Sequence, residues 1–193
     1  MAKFGKWDVN IHVGGMPEKL ATAFGDIKLV GAEYTPIAYL GSQLVNGVNH
    51  AVLAEQLVLA GKDTKNIVVM IFNEKADTFT LTGIERVVEG GAELGGTAVD
   101  VKTDIPAEAK EAFNSVVGKL VGVDVKPFAL LATQVVKGVN YVFAAEVTKV
   151  TKEAEKEFAI VTVNALTNKV AFTGDLLTSD VEVSLGKPLG EWP

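Results

Sequence analysis

The sequence predicts an α+β protein of two tandem domains, each a helix packed on a four- to five-stranded antiparallel sheet. Three observations lead there. Pro36 recurs as Pro127, and the offset of 91 residues then holds along most of the chain. Each copy contains stretches in which apolar and polar residues alternate, the period of a half-buried strand. Each copy also contains one stretch with apolar residues at i, i+3, i+4 and i+7, the stripe of a helix that packs on one face.

The repeat defines the domains. Tyr34–Val52 reads YTPIAYLGSQLVNGVNHAV and Val125–Phe143 reads VKPFALLATQVVKGVNYVF. Between Lys28 and Glu55, 14 of 28 positions are identical to those 91 residues on. Asn73 matches Asn164, and upstream the match resumes after a two-residue shift, with Pro17 against Pro106. The expected organisation is therefore domain 1 over residues 1–89, a Gly-rich linker over 90–97, and domain 2 over 98–193. Gly90, Gly91, Gly95 and Gly96 make the linker read as flexible.

The elements follow in order. Trp7, Val9, Ile11 and Val13 alternate with polar residues, as do Val99, Val101 and Ile105, giving a first strand in each copy. Pro17 and Pro106 suit the first turn of a helix, where a missing N–H costs nothing. Leu20, Ala23, Phe24 and Ile27 then form one apolar stripe, and Ala109, Ala112, Phe113 and Val116 form its counterpart. Pro36–Val45 leads through Asn46-Gly47 into Val48–Leu59. Asn-Gly between apolar runs is a strong hairpin signal, because a type I′ turn needs positive φ at both central residues. Lys137-Gly138 occupies the same place in the second copy, so the glycine is the shared requirement. Two more strands close each copy, Asn66–Asn73 with Thr78–Gly83 and Phe158–Asn164 with Val170–Gly174. Consecutive hairpins make an antiparallel sheet, and the helix would cover one face of it.

Composition excludes much chemistry. The chain has 193 residues, 48% hydrophobic and 22% charged, as a globular protein has. There is no cysteine, so disulfides, thiolate metal sites and cysteine nucleophiles are excluded. His12 and His50 are the only histidines, which leaves little for acid–base relays. The expectation is a protein that is not an enzyme, with no catalytic residues, no metal site and no cofactor. His50, alone on a predicted strand, reads as a half-buried strand residue. The net charge of −6 disfavours nucleic acid as a partner. The longest apolar run, Ile67–Phe72, is far short of the roughly 20 residues that span a bilayer, so no membrane partner is expected. The first residues lack the apolar stretch of a secretory signal, which suggests a cytoplasmic protein or a processed exported form.

The hairpins carry a motif. Gln134-Val135-Val136-Lys137-Gly138, followed by Val139-Asn140-Tyr141, closely resembles the Gln-x-Val-x-Gly hairpin of the cystatins, especially their disulfide-free stefin branch. Gln43-Leu44-Val45-Asn46-Gly47 fits the same pattern. The resemblance implies inhibition of papain-like cysteine proteases by a wedge of three parts. These would be a trunk glycine (Gly95 or Gly96, with Gly5 in the first copy), the Gln-x-Val-x-Gly loop, and a second hairpin. Many cystatins carry Pro-Trp in that second hairpin. This chain has Glu74-Lys75-Ala76-Asp77 and Ala165-Leu166-Thr167-Asn168, so Leu166 is the apolar tip. The alternative is a non-inhibitory tandem module with an interaction or structural role, whose sheet edges could pair with each other or in a homodimer.

Overall fold

A computed structural model describes residues 5–60, 62, 64–91 and 93–173, together with the backbone of 188–189. Gly174 and the remainder of the expected second domain, apart from 188–189, lie outside the described residues. The elements are β1 (Trp7–Val13), α1 (Glu18–Gly25), β2 (Ala32–Leu44), β3 (Val48–Val58), β4 (Thr64–Lys75), β5 (Thr78–Glu89), β6 (Thr97–Lys102), α2 (Ala107–Val117), β7 (Val123–Val136), β8 (Gly138–Lys149), β9 (Lys156–Asn164), β10 (Lys169–Thr173) and β11 (Pro188–Leu189). Two compact units divide between Glu89 and Gly90. The first holds an antiparallel sheet in the order β1-β2-β3-β4-β5. The second holds the order β11-β10-β9-β8-β7-β6, in which β11 is only two residues long.

The expected α+β class, with a helix packed on each of two sheets, is corrected. The chain is mostly antiparallel sheet, 59% strand against 12% helix. The two helices have only 8 and 11 residues, while β2 and β7 have 13 and 14. The physical reason lies in the strands' centres. Ile37–Leu40, Ala51–Ala54 and Ile67–Met70 are runs of consecutive buried residues, and so are Ala129–Ala132, Val142–Ala145 and Phe158–Val161. Successive side chains point to opposite faces, so both faces of each sheet lose solvent at its centre. One short helix can reach only one face. Leu20 and Phe24 of α1 share a buried cluster with Tyr39, Val52, Ala54, Val68, Met70 and Phe72. In the second unit Ala109, Phe113 and Val116 join Leu130, Phe143, Val161 and Phe172, with the Phe113 and Phe143 rings edge to face at 5.0 Å.

Local details follow from residue type. Pro17 and Pro106 are N-caps, one position before the expected first turn. Their carbonyls accept from Ala21 N and Lys110 N at 2.9 and 3.0 Å, as an N-cap carbonyl does. The helix α1 stops at Gly25, so Ile27, the last residue of the expected stripe, falls beyond it. Strand β2 carries irregular pairing between Pro36 and Ala38 and between Tyr39 and Gly41. Strand β7 repeats both, at Pro127/Ala129 and Leu130/Ala132. A bulge accommodates a proline that cannot donate to the ladder, so the strands run through Pro36 and Pro127 rather than starting there.

Candidate functional site

The expected binding residues lie at the tips of the β2–β3 and β7–β8 hairpins. In the first unit Asn46 and Gly47 have φ of 46° and 107°, both positive as the Asn-Gly turn requires. Of the corresponding pair in the second unit, Gly138 is positive, at 85°, and Lys137 is not, so Lys137-Gly138 turns differently. Each glycine has a second reason to lack a side chain. A Cβ on Gly47 would lie 2.5 Å from the Glu74 carbonyl oxygen. A Cβ on Gly138 would lie 2.9 Å from Leu166 Cβ. In both units the first hairpin is pressed against the next one.

A row of side-chain amides crosses each sheet behind these tips. Gln134 of β7, Asn140 of β8 and Asn164 of β9 are direct cross-strand partners. Gln134 Nε2 donates to the Gly95 carbonyl at 2.8 Å, Asn140 Nδ2 donates to Gln134 Oε1 at 3.0 Å, and Asn164 Nδ2 donates to Asn140 Oδ1 at 2.9 Å. Asn164 Nδ2 also reaches the Lys137 carbonyl at 3.1 Å, and Asn164 Oδ1 accepts from Thr167 N at 3.0 Å. The first unit repeats the row. Gln43 donates to the Gly5 carbonyl at 2.8 Å, Asn49 to Gln43 at 3.1 Å, and Asn73 to Asn49 at 2.8 Å. Trunk, first hairpin and second hairpin are thus tied together through side-chain amides, of which Gln43 and Asn164 are buried and the other four half-buried.

The trunk of the second unit is a folded turn. Gly91 N donates to the Thr97 carbonyl at 3.0 Å, and Gly96 N donates to the Glu93 carbonyl at 2.7 Å. A Cβ on Gly96 would come within 2.5 Å of the Gly91 carbonyl oxygen, so glycine is needed there for close approach. Ala92 lies outside the described residues.

The two units present different surfaces at this end. In the second, Leu94 on the trunk turn is fully exposed, Val135 is 72% exposed, Val136 43% and Leu166 69%. Lys137 at the tip is exposed as well. These apolar side chains come from three segments joined by the amide row and by the Gly138–Leu166 contact. In the first unit Leu44 is exposed, Val45 is half-buried, and polar groups dominate. Lys75 Nζ donates to Asn46 Oδ1 at 3.2 Å, and Lys19 pairs with Asp77 at 2.5 Å. That hydrogen bond and the charge of Lys19 hold the Asp77 carboxyl below its ordinary range.

His50 is buried rather than half-buried, and it is fully engaged. Its Nε2 lies 2.8 Å from Glu74 Oε2 and its Nδ1 lies 3.0 Å from Tyr39 Oη. A carboxylate only accepts, so Nε2 carries the proton. In the neutral ring Nδ1 then accepts from the Tyr39 hydroxyl. Burial pushes the Tyr39 phenol above its ordinary value. Phe79 closes over the imidazole, with ring centroids 5.7 Å apart. The second copy has Leu130, Tyr141 and Ala165 at these places, so the trio belongs to the first unit alone.

Among the described residues no group of three or more His, Asp or Glu could hold a metal ion, and no helix is long and apolar enough to cross a membrane. Of the residues singled out from the sequence, the second-unit set Gly95, Gly96, Gln134, Val135, Val136, Lys137, Gly138 and Leu166 comes together at one end. Gln43, Leu44, Val45, Asn46, Gly47 and Gly5 come together in the first unit. The sequence reading missed Leu94 and the four asparagines of the amide rows. Their signal was present, since Asn49/Asn140 and Asn73/Asn164 are polar identities kept across the copies on apolar strands.

Neither a protein-family model, nor a curated protein, nor a solved structure matches this chain.

Proposed function

We propose that this is a non-enzymatic binding protein whose second unit occludes the active-site cleft of a papain-like cysteine protease. The observation that carries the reading is the apolar edge of Leu94, Val135, Val136 and Leu166, displayed on three segments that are already tied together. A preformed edge loses little conformational freedom on docking. The resemblance of Gln134–Gly138 to the cystatin hairpin supplies the partner class. Full burial of a Leu or Val side chain is worth about 1.5–3 kcal/mol. Micromolar binding needs about 8 kcal/mol net of the cost of association. All three segments must therefore engage together, and losing one should be felt strongly.

The test is titration of papain activity with the intact protein and with Val135→Asp. Val135 is exposed, so the substitution places no charge in the core. The expected result is inhibition at micromolar concentration, weakened about tenfold or more by Val135→Asp. No inhibition by the intact protein at roughly 100 μM would sink the reading.

A second reading is favoured by one specific observation. The amides of Gln43 and Gln134 are hydrogen-bonded inside the chain, so the shared Gln serves the fold as well as any partner. Under this reading the protein is a non-inhibitory interaction module that uses the same edge on a different target.

A further inference from the structure

We propose that the Gln134–Asn140–Asn164 amide row is a latch that presets the trunk turn and both hairpin tips as one rigid edge, with Gln134 and Asn164 as its positioning residues. The inference rests on the binding reading only for its consequence, which is slow release of a partner. The latch itself is a property of the free protein.

The row joins three segments. Gln134 holds the trunk through the Gly95 carbonyl. Asn164 holds the first tip through the Lys137 carbonyl and the second through Thr167 N. Asn140 bridges the two, using its amide N–H toward Gln134 and its carbonyl toward Asn164. Every bond therefore runs in one direction across three strands, Asn164 to Asn140 to Gln134 to Gly95. Such a chain of amides is cooperative, and cutting it at one point weakens the rest. The same three side chains sit at the same register in the first unit, where they reach Gly5 and, more loosely, the Asn46 carbonyl at 3.5 Å.

The trunk needs such a hold. Among the described residues the turn carries the backbone hydrogen bonds from Gly91 N and Gly96 N, and its glycines favour many other conformations when released. Leu94 stands fully exposed on it, so this apolar side chain does not anchor the turn. The Gln134–Gly95 bond is the side-chain tether from the sheet to this turn. Where the trunk stands relative to Val135 and Leu166 is thus set by this amide together with the adjoining ladder, in which Thr97 of β6 pairs with Gln134 of β7.

Two isosteric variants cut the chain cleanly. Gln134→Glu keeps the acceptor toward Asn140 and replaces the donor toward Gly95 with an oxygen. Asn164→Asp keeps the acceptor for Thr167 N and removes both donated bonds. The probe is endoproteinase Glu-C, which can cut after Glu93 in the trunk turn only when that turn opens. Only first cuts are scored, by mass spectrometry, so that cleavage at the glutamate introduced by Gln134→Glu is counted separately, with cuts after Glu153 in the exposed loop as the internal reference. Loss of a hydrogen bond of this kind should speed cutting after Glu93 about tenfold in Gln134→Glu, with the reference cut unchanged. Asn164→Asp should speed it by a smaller factor, since it acts through Asn140. Assay near pH 4 should restore much of the protection in Gln134→Glu, because a protonated carboxyl can again donate to Gly95. A merely destabilised fold would not recover in acid. If cutting after Glu93 stays within about twofold of the parent in both variants, the latch does not exist.

Partner release is the second arm. If papain is bound by the parent, Gln134→Glu should raise its dissociation rate while leaving association nearly unchanged. Equal dissociation rates would refute the positioning role even if the trunk opens. If papain is not bound at all, the binding reading fails alone, and the Glu-C result still decides the latch.

Discussion

Replacing Gly138 with alanine should destabilise the second unit far more than the same change at Gly122. Both glycines have left-handed backbone, with φ of +85° and +86°. That conformation costs an L-residue about 1–2 kcal/mol. At Gly122 a new Cβ meets nothing within 4 Å, so this cost stands alone. At Gly138 the Cβ lands 2.9 Å from Leu166 Cβ and 3.1 Å from Leu166 Cδ2. The first of these atoms is anchored to the backbone, so the β9–β10 turn must move. Overpacking of this kind adds about 1–3 kcal/mol. Amide hydrogen exchange of Phe143–Ala145 reads the opening of the second unit directly. Gly122→Ala should speed that exchange about tenfold and Gly138→Ala about a hundredfold or more. In a Leu166→Gly background the excess at Gly138 should vanish, leaving the two changes equal. Equal acceleration in the parent background would refute the contact between hairpin tips. The same clash means that a large residue at Gly138 disturbs the fold as well as the surface, which makes Val135 the better site for probing a partner.

Phe113→Ala should cost about 3–5 kcal/mol, because Phe113 is buried edge to face on Phe143 and is the largest of the buried side chains of α2. A loss under about 1 kcal/mol in chemical denaturation would mean that α2 contributes little to the second unit. Tyr39 governs an alkaline response. Burial raises its pKa above the ordinary value of 10.0, so the neutral phenol is the form the fold favours. The stability it contributes is complete below pH 10 and is lost as pH rises through the raised value. Tyr39→Phe should therefore lose less stability than the parent between about pH 9 and about pH 11. Parallel curves would remove Tyr39 as the cause.

The repeat carried the most structural information in the sequence. Pro36 and Pro127 mark matching bulges, Gly47 and Gly138 mark matching hairpin tips, and the Gln and Asn identities mark the amide rows. The strand lengths were not legible, because a proline inside an apolar run reads as a boundary unless the bulge that absorbs it is known. The sheet's two-sided burial was not legible either. Runs such as Ile37–Leu40 lack the alternation that separates an inner face from an outer one. The glycines at 90–96 resemble a loose linker in the sequence, since the side chain that ties the turn to the sheet comes from Gln134, some 40 residues away. The Tyr39–His50–Glu74 trio draws on three strands and has no counterpart in the second copy, so the repeat could not announce it.

The central claim is that the second unit binds through Leu94, Val135, Val136 and Leu166. It is tested most directly by recording amide resonances of the isotope-labelled protein during titration with active-site-accessible papain whose nucleophile has been substituted. The account predicts shifts or broadening confined to residues 93–97, 134–139 and 164–168, with 43–48 and 74–77 unmoved. Undisturbed spectra at saturating papain, or changes centred on the first unit's polar end, would contradict it.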